Sequence, residues 1–305
     1  MALPPLPHDA IEHRRVIADA EAKLFGGAPE EVTVGRFRIE AKLGEGGMGR
    51  VYGAFDPQLQ RRVALKLLQP HAGEAGAVLE EARAMARLSD ANVVTVHEVA
   101  EGDEGVFIVM EWIQGKTLRE ALRDPLPWQR VLAMFVKAAR GLAAAHDAGL
   151  VHRDFKPENV MVAGERVVVT DFGLARATRD THERAGTPGY MAPEQRDGER
   201  VGPAADQYSF CVALHEALYR EPPQRPLRSP PSTDVPQLVW RTLRRGLAED
   251  PAERHPSMHA LLDDLAPGPP GPRRWVRVGL GLLVVILLTG TVLQMQVFWQ
   301  TYYGR

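Results

Sequence analysis

Val151-His152-Arg153-Asp154-Phe155-Lys156-Pro157-Glu158-Asn159-Val160 places an aspartate, a lysine and an asparagine in one short loop bounded by apolar residues. A short apolar run, Val167 to Thr170, reads as a strand and leads into Asp171-Phe172-Gly173; Ala192-Pro193-Glu194 follows. Upstream, Leu43-Gly44-Glu45-Gly46-Gly47-Met48-Gly49-Arg50-Val51 lies between two predicted strands. Glycines at 44, 46 and 49 carry no Cβ, so backbone N–H groups there can close on phosphate oxygens. The same run also reads as a plain glycine-rich hairpin turn. A dinucleotide-binding fold is excluded, because a strand and not a helix follows the glycines.

Lys66 ends Val63-Ala64-Leu65-Lys66 inside an apolar strand, either as a snorkelling edge residue or as a buried cation. On the next helix Glu81 has Ala77, Val78, Ala84, Met85 and Leu88 at helical spacing, whereas Glu80 shares its face with Arg83 and Arg87. Glu81 is therefore expected to point inward and Glu80 outward. A buried carboxylate needs a cation, and Lys66 is the expected partner.

Taken together and in order, the glycine loop, the lysine, the inward glutamate, the Asp154 loop, Asp171-Phe172-Gly173 and Ala192-Pro193-Glu194 resemble the protein kinase family, and within it the eukaryotic-like serine/threonine kinases found in bacteria. The resemblance covers roughly residues 35 to 265. It implies a two-lobed α+β fold, with ATP and Mg²⁺ (Mn²⁺ as a substitute) as cofactors and protein hydroxyls as acceptors. It also implies roles. Gly44, Gly46 and Gly49, with Leu43, Glu45, Gly47 and Met48 between and beside them, would cover the ATP phosphates. Lys66, held by Glu81, would bind the α- and β-phosphates. Asp154 would orient the substrate hydroxyl and accept its proton, Lys156 would reach the γ-phosphate, and Asn159 and Asp171 would ligate the metal. Phosphoryl transfer is mostly positioning plus charge neutralisation, and Mg²⁺ favours the oxygen ligands that Asp171 and Asn159 supply.

Further positions match the family. Met110-Glu111-Trp112-Ile113 resembles the segment whose backbone binds adenine, with Val51 and Ala64 packed on the purine; plain core packing is the alternative for these apolar residues. Asp206, expected to open a helix from Gln207 to Tyr219, resembles the acid that braces the catalytic loop, or is a simple helix N-cap. Arg254 resembles the arginine that pairs with Glu194. Lys156 and Gly186-Thr187-Pro188-Gly189-Tyr190 fit serine/threonine specificity. Arg153 before Asp154 marks kinases whose activation loop is ordered by phosphorylation, with Thr178, Thr181 and Thr187 as acceptors and Thr187 the one that shapes the substrate site. One departure stands out: Arg220 to Pro236 holds prolines at 222, 223, 226, 230, 231 and 236, which leaves no room for the helix that family members carry there.

The strand-rich first third (Arg36 to Leu43, Arg50 to Phe55, Arg62 to Leu68) precedes a helix-rich remainder, including Trp128 to Ala148 with its 3.6-residue apolar period. The lone Cys211 lies in an apolar run and reads as a buried core residue. The net charge of −2 in 305 residues gives no electrostatic case for nucleic acid. Residues 1 to 34 form a leader without a signal-peptide h-region, in which Asp9 and Glu12 suggest a capping box for a helix around Ala10 to Phe25.

Residues 266–274 form a proline-rich linker, 275–299 an apolar segment and 300–305 a short tail. About 22 residues of helix span roughly 33 Å, enough for a bilayer core. Arg273, Arg274 and Arg277 precede the run, and Trp275, Trp299, Tyr302 and Tyr303 flank it. The expected arrangement is a single-pass anchor in the inner or plasma membrane with the kinase domain in the cytoplasm. Expected partners are ATP, protein substrates, the lipid bilayer and a second copy of the chain in trans, and no nucleic acid. The competing functions are a membrane-anchored pseudokinase scaffold, which would have lost part of the charged set present here, and a small-molecule phosphotransferase, which would lack the Ala-Pro-Glu segment.

Overall fold

The structure, a computed structural model, describes residues 10–46, 49–68, 75–102, 105–172, 187–224, 227 and 234–265. Strands β1 (Thr33–Val34), β2 (Phe37–Gly46), β3 (Gly49–Asp56), β4 (Arg61–Leu68), β5 (Val96–Gly102) and β6 (Gly105–Glu111) form one antiparallel sheet in the order β1-β2-β3-β4-β6-β5. Val63 through Leu68 of β4 are all buried, without the alternation of a one-sided strand. Both faces of the sheet are covered, which removes the polar-out half of the pattern. Helix α1 (Ala10–Phe25) lays Ile11 on a cluster containing Val34, Phe37, Tyr52 and Leu65, and Arg15 donates to the Glu40 carbonyl at 2.9 Å. Helix α2 (Ala75–Ala86) packs on β5 and β6.

The second lobe is helical: α3 (Leu118–Ala121), α4 (Trp128–Asp147), α5 (Pro193–Arg196), α6 (Pro203–Tyr219), α7 (Gln237–Gly246) and α8 (Met258–Leu265), with a small sheet of β7 (Lys116–Thr117), β8 (Val160–Ala163) and β9 (Arg166–Val169). The apolar stripe read in α4 is the buried one: Val131, Phe135, Ala139, Leu142 and Ala143 are all within the core. Helix α6 is buried almost all round, from Ala205 to Leu214, as expected of a helix at the centre of a lobe. Cys211 is fully buried there, and burial pushes its thiol pKa up. Phe135, Phe155 and Phe210 meet edge-on or tilted at 5.6 Å. One apolar cluster joins Met85 of α2 and Ile108 of β6 to Phe172 and to α4, α6, α7 and α8, so the two lobes share a core. Backbone bonds from Val94 N to Val169 O (3.0 Å) and from Val169 N to Asn92 O (2.8 Å) stitch the loop after α2 to β9.

The α+β, two-lobed arrangement is as expected, with two adjustments. Helix α6 opens at Pro203, with Pro at its first position and Gly202 as the cap, so Asp206 sits inside the first turn and is not the N-cap. The described parts of Arg220 to Pro236 contain no helix, whereas 225–226 and 228–233 lie outside the described residues. The linker 266–274, the apolar segment 275–299, the tail 300–305 and Asp9 also lie outside them. Among the described residues no helix is long and apolar enough to cross a membrane.

Arg254 shows how the helical lobe is fixed. Its side chain is 1 % exposed, and every N–H donor has a partner. Two donors hold Glu194 in a fork, at 2.7 and 2.8 Å, and the others reach the carbonyls of Ala204, Ala248 and Glu249. Removing one partner strands a buried charge, which costs about 3–5 kcal/mol. Arg254→Met should therefore lower stability in urea unfolding by about that amount, and the Glu194→Gln, Arg254→Met pair should lose less than the sum of the two single changes.

Candidate active site

The catalytic-loop candidates are aimed by a carboxylate from another helix. Asp206 is fully buried; its Oδ2 accepts from His152 N and its Oδ1 from Arg153 N, each at 2.8 Å. His146 Nε2, at the end of α4, lies 2.8 Å from Oδ2. Burial would raise the Asp206 pKa, but the His146 bond, the His146 and His152 charges and the backbone donor leave it below the usual carboxylate value. Held at both amides, Arg153 takes φ 67°, a left-handed conformation rare for a side chain with a Cβ. The Gln195 amide also binds the Arg153 carbonyl, at 2.7 Å.

Asp154 is 7 % exposed. Its Oδ1 accepts from Thr187 N at 2.9 Å and from Thr187 Oγ1 at 3.0 Å, and its Oδ2 faces Lys156 Nζ at 2.9 Å. Lys156 also donates to Thr187 Oγ1 at 2.7 Å. Asn159 Nδ2 donates to the Asp154 carbonyl at 2.8 Å and to Asp154 Oδ2 at 3.3 Å, and among the described residues its Oδ1 accepts no hydrogen bond. The Asn159 carbonyl accepts from Thr170 N and Oγ1, tying the loop to the residue before Asp171. Phe172 is fully buried with its ring 4.7 Å from that of His152, and Asp171, at φ 61°, accepts from Lys66 Nζ at 2.7 Å. Burial raises the Asp171 pKa, but the charge and hydrogen bond of Lys66 bring it below the ordinary value.

Here the expected pairing is corrected. Lys66 is 3 % exposed and pairs with Asp171, and Glu81 lies 3.5 Å from Arg153 Nη1. Neither carboxylate is stable in a partly dry site without a positive neighbour. Two cations and two carboxylates satisfy that need in either pairing, and this conformation takes the one with Arg153 on Glu81.

The protein kinase domain family matches residues 37–262. The chain belongs to the protein kinase family. A probable serine/threonine-protein kinase of Clostridium acetobutylicum is 31 % identical over 259 residues, which cover 76 % of this chain and 39 % of that protein. The serine/threonine-protein kinase PknL of Mycobacterium tuberculosis is 42 % identical over 196 residues, 60 % of this chain and 49 % of that one. The crystal structure of the Mycobacterium tuberculosis PknI kinase domain superposes with TM-score 0.64 at 29 % identity, covering 78 % of this chain and 98 % of the other. The chain thus spans less than half the length of these two curated relatives, while matching nearly all of an isolated kinase domain.

Within this kinase domain, Val51, Ala64, Val94, Met110, Ile113 and Val168 form a small apolar cluster separate from the cores of the two lobes. Sequence reasoning named four of these; Val94, in the connection before β5, and Val168, in β9, look like any other valine until the lobes meet. Leu43 is 45 % exposed at the start of the glycine loop. Glu111 turns its carboxylate to Arg166 (2.7 and 2.8 Å) and to Thr95 N (3.0 Å), and its own N–H donates to Thr95 O (2.9 Å), so its side chain is not turned to the cleft. Gly44 has open space where a Cβ would go, and Gly46 pairs with Gly49 at the hairpin tip. Gly49 has φ 135°, and a Cβ there would meet Leu67 O at 2.0 Å, so glycine is required. Glu45 is exposed and bridges Lys42 and Arg50. Gly47, Met48, Gly173, Thr178 and Thr181 lie outside the described residues.

Two features escaped the sequence. His146 carries no motif, and its role comes only from the meeting of α4 and α6. Arg119 of α3 binds Glu158 at 2.7 Å and Glu216 at 2.9 Å, and also the Tyr190 hydroxyl, gathering four distant segments beside Thr187.

Because the Asp206 pKa is depressed in the fold, its stabilising contribution is present above its unfolded value near 3.8 and is lost as pH falls through the folded value. Asp206→Asn should destabilise the protein at pH 7 by about 3 kcal/mol. Urea titrations at descending pH should show the gap to the unaltered protein narrowing below about pH 4.

Proposed function

We propose that this chain is a serine/threonine protein kinase that transfers the γ-phosphoryl group of ATP to serine or threonine hydroxyls of proteins, itself included. The observation that carries this reading is Asp154: one carboxylate oxygen is fixed by Thr187 and the other faces Lys156, so a base and a cation stand side by side at the mouth of the site. Asp154 would orient the acceptor hydroxyl and take its proton, and Lys156 would counter the charge on the transferred group.

The donor set fits Mg²⁺. Among the described residues Asn159 Oδ1 accepts no hydrogen bond, Asp171 offers a carboxylate, and both are hard oxygen donors. Asn159 and Asp171 would hold the metal, which supplies neutralisation of phosphate charge when bound. The apolar cluster of Val51, Ala64, Val94, Met110, Ile113 and Val168 would receive adenine, Gly44 to Gly49 the phosphates, and Lys66 the α- and β-phosphates. The Glu81–Arg153 contact makes Arg153 the switch of this reading: phosphate on Thr178 or Thr181 would draw its guanidinium away and return Glu81 to Lys66. The domain limits would be 35–265 for the kinase domain, 266–274 for the linker and 275–299 for a membrane-spanning helix that anchors the kinase on the cytoplasmic side of the inner or plasma membrane.

Autophosphorylation with radiolabelled ATP tests the activity. Lys66→Met and Asp171→Asn should each abolish detectable transfer, and Asp154→Asn should lower it by about 10²–10⁴-fold. Normal turnover by purified Asp171→Asn would remove the metal assignment. For the anchor, the full-length chain should stay in the membrane pellet through carbonate washing, and recovery in the soluble fraction would defeat that reading.

A further inference from the structure

Helix α7 carries three arginines on its exposed side. Arg241, Arg244 and Arg245 line an open pocket of about 470 Å³ together with Ala248 and Glu253. Their spacing of three and four residues stacks the guanidinium groups along one helical face. Among the described residues none of the three makes an ion pair or a side-chain hydrogen bond, in contrast to Arg36, Arg119, Arg166 and Arg254, each of which is tied to a carboxylate. The buried face of α7, with Val239 and Leu243, faces the core, so the arginines serve no packing there. Glu253 offsets one charge and leaves a net positive pocket. Leu238 lies on the same stripe, one turn before Arg241, and is 48 % exposed. Nothing in the phosphoryl-transfer machinery uses this surface, which lies on the helices that follow the catalytic segments in the chain.

We propose that the Arg241/Arg244/Arg245 pocket binds the phosphate of an anionic lipid headgroup, with Leu238 entering the interface beside it, so that the helical lobe docks against the membrane surface. Three observations favour a lipid over a soluble anion. The cations are clustered and unpaired, an exposed leucine accompanies them, and α7 packs on α8, from which the chain runs directly into the proline-rich residues 266–274 and the arginine-flanked apolar segment. Nine residues, if fully extended as polyproline II, would reach roughly 28 Å, which would keep the end of α8 within that distance of an anchored segment. The choice of a lipid as ligand rests on the membrane-anchor reading. Each arginine brought within a Debye length of an anionic leaflet adds roughly fivefold to the docked population, and three together roughly a hundredfold. The consequence is a fixed orientation of the cleft toward proteins of the same membrane.

Cys211 is buried, so Leu238→Cys offers a single accessible thiol for a solvent-sensitive fluorophore on the full-length chain. The labelled protein is combined with phosphatidylcholine vesicles, with or without phosphatidylglycerol, and read for both sedimentation and emission. The expected result is sedimentation with both vesicles, a blue shift only with phosphatidylglycerol, and loss of that shift in 1 M salt and in Arg241→Gln, Arg244→Gln, Arg245→Gln. Autophosphorylation of the triple variant reports that it is folded. Sedimentation with both vesicles but equal emission keeps the anchor and overturns the headgroup site. Failure to sediment with phosphatidylcholine, with an arginine-dependent shift on phosphatidylglycerol, removes the anchor and keeps the site. A shift that the triple variant retains overturns the assignment to these arginines. A shift produced by a phosphothreonine peptide while vesicles give none assigns the pocket to a phosphoprotein instead and overturns the proposal.

Discussion

The arrangement at the centre of this protein depends on one carboxylate that never meets a reactant. Asp206 sits fully buried inside α6 and accepts the backbone N–H groups of His152 and Arg153. A buried carboxylate with neither water nor polar partners would not remain charged; here two amides and His146 surround it. In exchange the peptide at Arg153 is held left-handed, and the next residue, Asp154, turns toward Lys156 and Thr187. The helix is packed on nearly every face in the lobe core, so the placement of the loop rests on the hydrophobic burial of α6.

Around that fixed loop the charges are paired in a way that can be rearranged. Lys66 and Arg153 supply two cations, and Asp171 and Glu81 two carboxylates. The Lys66–Asp171 contact is short, at 2.7 Å, while the Arg153–Glu81 contact is longer, at 3.5 Å, so the second is the weaker link. Arg153 is also part of the catalytic loop, so whatever competes for its guanidinium is reported to α2. The shared apolar core, which contains Met85 of α2 and Phe172 next to Asp171, gives that report a mechanical route between the lobes.

The glycine hairpin follows a different logic. Gly49 is enforced by close contact, against the Leu67 carbonyl, whereas Gly44 faces open space. One glycine is thus a requirement of the sheet, and the other leaves room for a ligand to approach the backbone. Two valines of the small apolar cluster come from different lobes' neighbourhoods: Val94 from the α2–β5 connection and Val168 from β9.

The sequence by itself determined the family, the strand-rich first part before a helix-rich remainder and the charged set, because these are carried by residues adjacent in the chain: the Asp154-to-Asn159 loop, Asp171-Phe172-Gly173, the glycine run and the 3.6-residue stripe of α4. It also placed α1 at Ala10–Phe25 and Cys211 in the core. Tertiary structure decided which partner each charge takes. Helical periodicity could turn Glu81 inward but could not say whether Lys66 or Arg153 would meet it, since the choice depends on how α2 sits against the other lobe. Asp206 read equally as a cap or a brace until Pro203 was seen to open the helix, and His146 and Arg119 carried no local pattern at all. Local sequence encodes backbone preference and burial over a few residues, whereas an ion pair between residues sixty or more positions apart depends on the docking of whole elements, and no short motif records that geometry.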